Sequence, residues 1–246
     1  MPKTIRDKLI VALDVHTKVR ALRLVDALDD AAGMFKIGSQ LFTAVGPDMV
    51  REVVAKGMPV FLDLKFHDIP ATVAAAGVEA TRLGVSIFNV HALGGRDMMR
   101  RTAAAVSECA ARENLQRPKI IAVTVLTSVD AEEMAQMGLA SSAQEQTLRL
   151  AQLAAESGMD GVVASPQDIE LVRQGVTQPD FIIVTPGVRP RGEDEHDQKR
   201  VMTPAEAVTA GADYIVVGRP VLAAPDPIEA ARNIIREMSD ALDRWP

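Results

Sequence analysis

The densest chemistry in the chain lies in the octet Asp63-Leu64-Lys65-Phe66-His67-Asp68-Ile69-Pro70. Residues two apart on a strand face the same side, so Asp63 and Lys65 are expected to share one face. Asp68 then falls in the loop ahead of Pro70, a residue suited to opening a helix. Lys36, in the run Met34-Phe35-Lys36-Ile37-Gly38, is placed to join them from a neighbouring strand. Two ammonium groups alternating with two carboxylates keep both lysines cationic, because a nearby opposite charge favours the charged form. A cationic lysine can donate a proton, which suits a general acid facing a developing carbanion. The same residues would serve equally as a structural ion-pair network closing one end of a sheet.

A second group suits an anion. In Val216-Val217-Gly218-Arg219 the glycine lets an anion approach backbone N–H groups and the arginine supplies a planar fork. Thr185-Pro186-Gly187-Val188-Arg189 ends another apolar run, and residues 190–200 then carry seven charges in eleven positions, together with Gln198. A loop of that length beside a phosphate site is a lid candidate, or else a solvated surface loop. His16, His67, His91 and His196 show no ligand spacing such as His-x-x-x-His, so no metal site is expected. His91 could pack or line the end of its strand. No Gly-x-Gly-x-x-Gly follows the first strand, which counts against a dinucleotide cofactor.

What must position these groups is a repeated strand and helix pattern. Apolar runs at 8–14, 34–38, 60–65, 87–91, 119–127, 161–165, 181–187 and 214–219 read as strands, and the intervening segments, such as 71–83, 142–156 and 228–242, carry helical patterns. The spacing suits strand, crossover helix and parallel strand. Eight such units in 246 residues predict an α/β fold, a single-domain (β/α)8 TIM barrel with parallel strands over residues 1–246, with an open doubly wound sheet as the alternative. In a barrel the strand ends converge, so Asp14, Lys36, Asp63, Lys65, His91, Thr127, Arg189 and Arg219 would meet at one mouth, where barrel enzymes hold their active sites.

Composition narrows the rest. The net charge is −6, so no global basic surface for nucleic acid exists and an anion site must be built locally. The single Cys109 cannot form an internal disulfide, and it is expected to be an inert thiol in a helix. With a start that lacks the apolar stretch of a signal peptide, the expected compartment is the reducing cytoplasm. The densest apolar run, 120–126, is too short to span a bilayer, so no membrane partner is expected.

The sequence resembles the orotidine 5′-phosphate decarboxylase family across almost the whole barrel. The resemblance rests on Asp63-Leu64-Lys65-Phe66-His67-Asp68-Ile69-Pro70-Ala71-Thr72, together with Leu13-Asp14, Phe35-Lys36-Ile37-Gly38, Leu126-Thr127-Ser128, Pro186-Gly187-Val188-Arg189, Asp197-Gln198 and Gly218-Arg219 in the family's order. Ala71 departs from the asparagine found in many relatives and removes no charged group. The resemblance implies a homodimer that converts orotidine 5′-monophosphate to uridine 5′-monophosphate and carbon dioxide without metal or organic cofactor. It implies Lys65 as proton donor to C6, Asp63 beside the departing carboxylate, and Asp68 supplied by the partner subunit to complete the charge array with Lys36. It further implies Asp14 and Lys36 on the ribose, Thr72 on the ribose across the interface, and Thr127 on the pyrimidine. Arg189, Gln198, Gly218 and Arg219 would hold the phosphate, and Ile69 and Pro186 join the substrate-binding set. Other classes weighed from the residues are a Mg²⁺-dependent sugar-phosphate decarboxylase or aldol-type enzyme on a related barrel, in which acidic residues would chelate the ion, and a silent nucleotide-binding regulator. No coiled-coil or low-complexity segment supports a scaffolding role.

Overall fold

The computed structural model describes residues 2–190 and 202–243. Eight strands run along it: β1 (Leu9–Ala12), β2 (Met34–Gly38), β3 (Val60–Phe66), β4 (Ile87–His91), β5 (Lys119–Val123), β6 (Gly161–Val163), β7 (Ile182–Thr185) and β8 (Tyr214–Val217). Each pairs in parallel with the next, and β1 pairs with β8 through Leu9 opposite Ile215 and Val11 opposite Val217. That seam closes the barrel and rules out the open doubly wound sheet.

Parallel strands covered on both faces are apolar on both faces, and the alternation here sorts two cores. Ile10, Ala12, Met34, Phe61, Ile87, Ile121, Ile182, Val184, Tyr214 and Val216 fill the barrel interior. Residues of opposite parity, among them Leu9, Val11, Phe35, Ile37, Val60, Leu62 and Phe88, pack outward against the helices. Following the inward parity toward the C-terminal ends, apolar residues give way to polar ones. Ile10 and Ala12 lead to Asp14, Met34 leads to Lys36, Phe61 to Asp63 and Ile87 to Asn89. The lower layers are thus packed core and the upper layer carries polar and charged side chains, at the end of the barrel where this architecture places its sites.

The N-terminal end is locked by two matching devices. Asp160, just before β6, accepts from Arg117 Nη1 at 2.8 Å and from the Ile120 N–H of β5 at 2.7 Å. Asp213, just before β8, pairs with Arg173 and accepts from the Ile183 N–H of β7 at 2.7 Å. Each carboxylate satisfies a strand-entry amide of its neighbour that would otherwise be left open.

Helices begin where the sequence signals them. Pro70 opens the helix Pro70–Arg82, and Ser142 caps Ala143–Glu156 through a capping box with Glu145. Cys109 is buried in the helix Gly95–Glu113, as expected of a packing thiol. The predicted strands are corrected at their ends. β5 stops at Val123, leaving Thr127 in the following loop, and β8 stops at Val217, with Arg219 opening the short helix Arg219–Leu222 because Pro220 favours a first helical turn. The larger correction concerns β3. Its register against β4 shifts between Leu62 and Phe66, and Lys65 adopts φ 51°, so Asp63 and Lys65 meet across an irregular strand rather than by simple alternation.

Gly161 opens β6 where the barrel wall has no room. A Cβ there would lie 2.1 Å from the Ile182 carbonyl oxygen and 2.5 Å from Ile182 Cγ1, and a backbone oxygen in the neighbouring strand cannot swing aside. Gly161→Ala is expected to lower stability by about 1–3 kcal/mol through overpacking, read as a fall in urea midpoint; an unchanged midpoint would show that the wall yields at this point.

Candidate active site

At the C-terminal mouth the barrel opens into a cavity of about 620 Å³. Its walls include Asp14, Lys36, Asp63 and Lys65 on one side of the ring and Val123, Thr127, Val163, Ser165 and Pro186 on the other, with Arg189, Gly218 and Arg219 at the rim. Of the residues singled out from sequence, nine thus share one space: Asp14, Lys36, Asp63, Lys65, Thr127, Pro186, Arg189, Gly218 and Arg219.

The charged residues form a chain of alternating sign. Lys36 Nζ lies 3.2 Å from Asp14 Oδ1 and 3.3 Å from Asp63 Oδ2, and Lys65 Nζ lies 2.6 Å from Asp63 Oδ1. Asp63 Oδ1 also accepts from Asn89 Nδ2 at 2.7 Å. Gly38, closing β2, keeps space for this arrangement, since a Cβ there would sit 2.9 Å from Lys36 Nζ. In one chain the second carboxylate of the array is therefore Asp14, in place of the Asp68 anticipated from residue types alone.

Burial and charge pull in opposite directions here. Burial pushes the Asp63 carboxyl toward protonation, but Lys36, Lys65 and the hydrogen bonds from Lys65 and Asn89 outweigh it and hold the group below its ordinary 3.8. Burial likewise pulls Lys36 toward neutrality, while Asp63 and Asp14 prevail and raise it above its ordinary 10.5. Both groups are ionised at neutral pH, and each depends on the other.

His91, at the end of β4, does not line the cavity. Its ring stacks on His67 with centroids 5.2 Å apart, and burial, then His67 and Lys65, hold it below its ordinary 6.5. Among the described residues no group of three or more His, Cys, Asp or Glu side chains assembles that could hold a metal.

Three of the expected residues stay outside their own chain's cavity. Asp68, Ile69 and Thr72 are exposed; Asp68 Oδ1 accepts from the Ile69 N–H at 2.6 Å, and Ile69 is 66% exposed. The irregular end of β3 and the start of the helix at Pro70 carry them away from the mouth. Gln198 lies outside the described residues, as does all of the lid candidate 190–200 except Pro190. Sequence reasoning missed two polar residues at this end of the barrel. Ser165 is fully buried against the cavity, and Asn89 is fully buried behind Asp63.

The model of the Orotidine 5′-phosphate decarboxylase / HUMPS family matches residues 7–234. The chain belongs to that family. Among relatives of this decarboxylase family, the orotidine 5′-phosphate decarboxylase of Moorella thermoacetica is 55% identical over 234 residues, spanning 95% of this chain and 92% of the relative. That of Geobacter sulfurreducens is 53% identical over 233 residues, spanning 95% and 96%. The crystal structure of orotidine 5′-phosphate decarboxylase from Lactobacillus acidophilus superimposes with a TM-score of 0.82 at 34% identity, covering 94% of this chain and 98% of that one. The charged residues around Asp63 and Lys65 thus sit at the mouth of a barrel whose shape matches a solved structure of that name.

The Lys36–Asp63 pair makes a pH-dependent prediction. A lowered Asp63 contributes stability that is complete above pH 3.8 and is lost as pH falls through its folded value; a raised Lys36 contributes stability that is complete below pH 10.5 and is lost as pH rises through its folded value. Lys36→Met should cost about 3–5 kcal/mol at pH 7 by leaving Asp63 short of a partner. The deficit should shrink toward pH 4, where Asp63 can take a proton in the variant. Denaturant midpoints at the two pH values decide it, and an equal deficit at both would contradict the pairing.

Proposed function

We infer that this chain decarboxylates orotidine 5′-monophosphate to uridine 5′-monophosphate, the reaction of its family in pyrimidine nucleotide synthesis. The observation that carries the reading at the level of residues is the Asp14–Lys36–Asp63–Lys65 array at the mouth of a cavity whose rim bears Arg189 and Arg219. Loss of carbon dioxide from C6 leaves an in-plane carbanion that the ring cannot delocalise, so fixed charge must favour the transition state over the substrate. Lys65 supplies that charge and the proton. Asp63, already ionised, opposes the substrate carboxylate and is relieved as neutral carbon dioxide departs.

The remaining roles are those the resemblance implies. Asp14 and Lys36 hold the ribose hydroxyls, Thr127 faces the pyrimidine, Pro186 joins the substrate-binding wall, and Arg189, Gly218 and Arg219 take the phosphate, with Gln198 assigned there from the resemblance alone. Binding energy from that phosphate, remote from the reacting carbon, offsets the cost of assembling a crowded charged site. No metal or organic cofactor is assigned a step. Asp68, Ile69 and Thr72, exposed beside their own cavity, serve the site of a second copy, which makes the enzyme a homodimer with shared sites. Ile69 at 66% and Leu93 at 47% exposure follow the adjacent strands β3 and β4 and give that interface its apolar contact. Among the described residues no helix is long and apolar enough to cross a membrane, and the buried free thiol of Cys109 fits a cytoplasmic setting.

The deciding experiment follows orotidylate absorbance on adding protein treated with a chelator, beside Lys65→Ala. Rapid loss with wild type and at least about a 10³-fold slower loss with the variant is expected for a group that supplies both charge and proton. Inactivity that is restored by Mg²⁺ with a sugar phosphate would favour the metal-dependent alternative. Shared sites are tested by mixing Lys65→Ala with Asp68→Ala after unfolding and refolding together. Half the dimers are then mixed and each holds one intact site, so about a quarter of wild-type activity should return; no return would place Asp68 and Lys65 in one chain's site.

A further inference from the structure

In the inward column of β4, Ile87, Asn89 and His91, the polar residue that is fully buried is Asn89, set between apolar neighbours and behind the wall of the cavity. A buried amide is costly unless its donors and acceptor are used, and here both ends are used on the reactive strand. Nδ2 donates to Asp63 Oδ1 at 2.7 Å, and Oδ1 accepts from the backbone N–H of Lys65 at 2.7 Å. The reverse orientation would set an oxygen against a carboxylate and an NH₂ against an N–H, so the two partners fix how the amide lies. Lys65 is also the residue of β3 with positive φ, at 51°, in the stretch where pairing with β4 slips. The slip leaves the Lys65 N–H without a ladder partner, and Asn89 supplies one from its side chain.

We propose that Asn89 is a positioning residue for decarboxylation: it clamps the Lys65 backbone in its left-handed turn and the Asp63 carboxylate against Lys65 Nζ, so that the proton donor and the opposing charge are held as one unit. That role presupposes the decarboxylase reading above. Asn89 does not line the cavity, and so acts through the two residues that do. The charged and titratable groups around it are Asp63 and Lys65 on β3, Lys36 and Asp14 beyond them, and His91 two positions along β4. The inward residues of β5, Ile121 and Val123, are uncharged.

Two variants separate positioning from bulk stability. Asn89→Leu keeps the branched outline of the side chain, with bulkier methyl ends, and removes both hydrogen bonds. It should lower kcat about 10- to 100-fold, the range for lost supporting hydrogen bonds behind a reactive group, with KM moved less than about threefold because phosphate and ribose contacts lie elsewhere. Asn89→Asp sets a second carboxylate against Asp63, and the introduced group is expected to titrate high. When protonated it can donate to Asp63 and accept from the Lys65 N–H, so kcat should recover as pH falls, a limb absent from wild type. A wild-type kcat in Asn89→Leu, or an Asn89→Asp profile parallel to wild type, would overturn the proposal. A readout independent of turnover is the Asp63 carboxyl, titrated by ¹³C NMR without substrate, which should move upward in Asn89→Leu. If wild type proves inert toward orotidylate, the functional reading falls while this titration still decides: a shifted carboxyl upholds the clamp, and an unmoved one removes it.

Discussion

Asp63 holds a negative charge almost out of reach of water, and the mouth of the barrel is arranged around that burden. An isolated carboxylate in such a place would protonate. It stays ionised because Lys36, Lys65 and Asn89 approach it from strands β2, β3 and β4. Each partner is tied in turn. Lys36 is shared with Asp14, just past the C-terminal end of β1, and the Lys65 backbone is tied to Asn89. Four successive strands therefore have to be in register for one charge to survive, which couples the correctness of the fold to the electrostatics of the site.

The coupling explains why the polar layer sits above the packed one. The apolar side chains packed inside the barrel fix the strand ends to within the tolerance that 2.6–3.3 Å contacts demand. The locks at the opposite end, Arg117 with Asp160 and Arg173 with Asp213, hold strand entry without touching the site. Stability devices and the charged array are thereby kept at opposite ends of the same strands, in line with the division expected of this architecture.

Much of this was legible in the sequence. Eight apolar runs at crossover spacing gave the closed barrel once β1 met β8, and charged residues following those runs located the mouth. Lys36, Asp63, Lys65 and Asp14 are all at positions their strands made evident. The left-handed turn at Lys65 was not, because lysine has no local preference for it; the turn is held by Asn89, 24 residues away. Asn89 itself, in Ile87-Phe88-Asn89-Val90-His91, reads as one polar residue in a strand, although its inward parity with Ile87 marks it as buried and in need of a partner. Which way Asp68 points is likewise beyond strand alternation, since it depends on where β3 ends and the helix at Pro70 begins. Asp160 and Asp213 were missed for the same reason: their amide partners lie 40 and 30 residues away.

The seam between β1 and β8 bears on how the chain comes to be made. Asp14 follows one side of that seam, Gly218 and Arg219 the other, and roughly two hundred residues of synthesis separate them. A nascent chain leaving the ribosome N-terminus first shows an unpaired β1 edge until the last strand emerges, and contacts of such long range are slow to form. Half of the arginine-bearing rim does not exist before that moment. Ligand capture by this barrel is therefore a report that translation has run to its final strand and that the ring has shut.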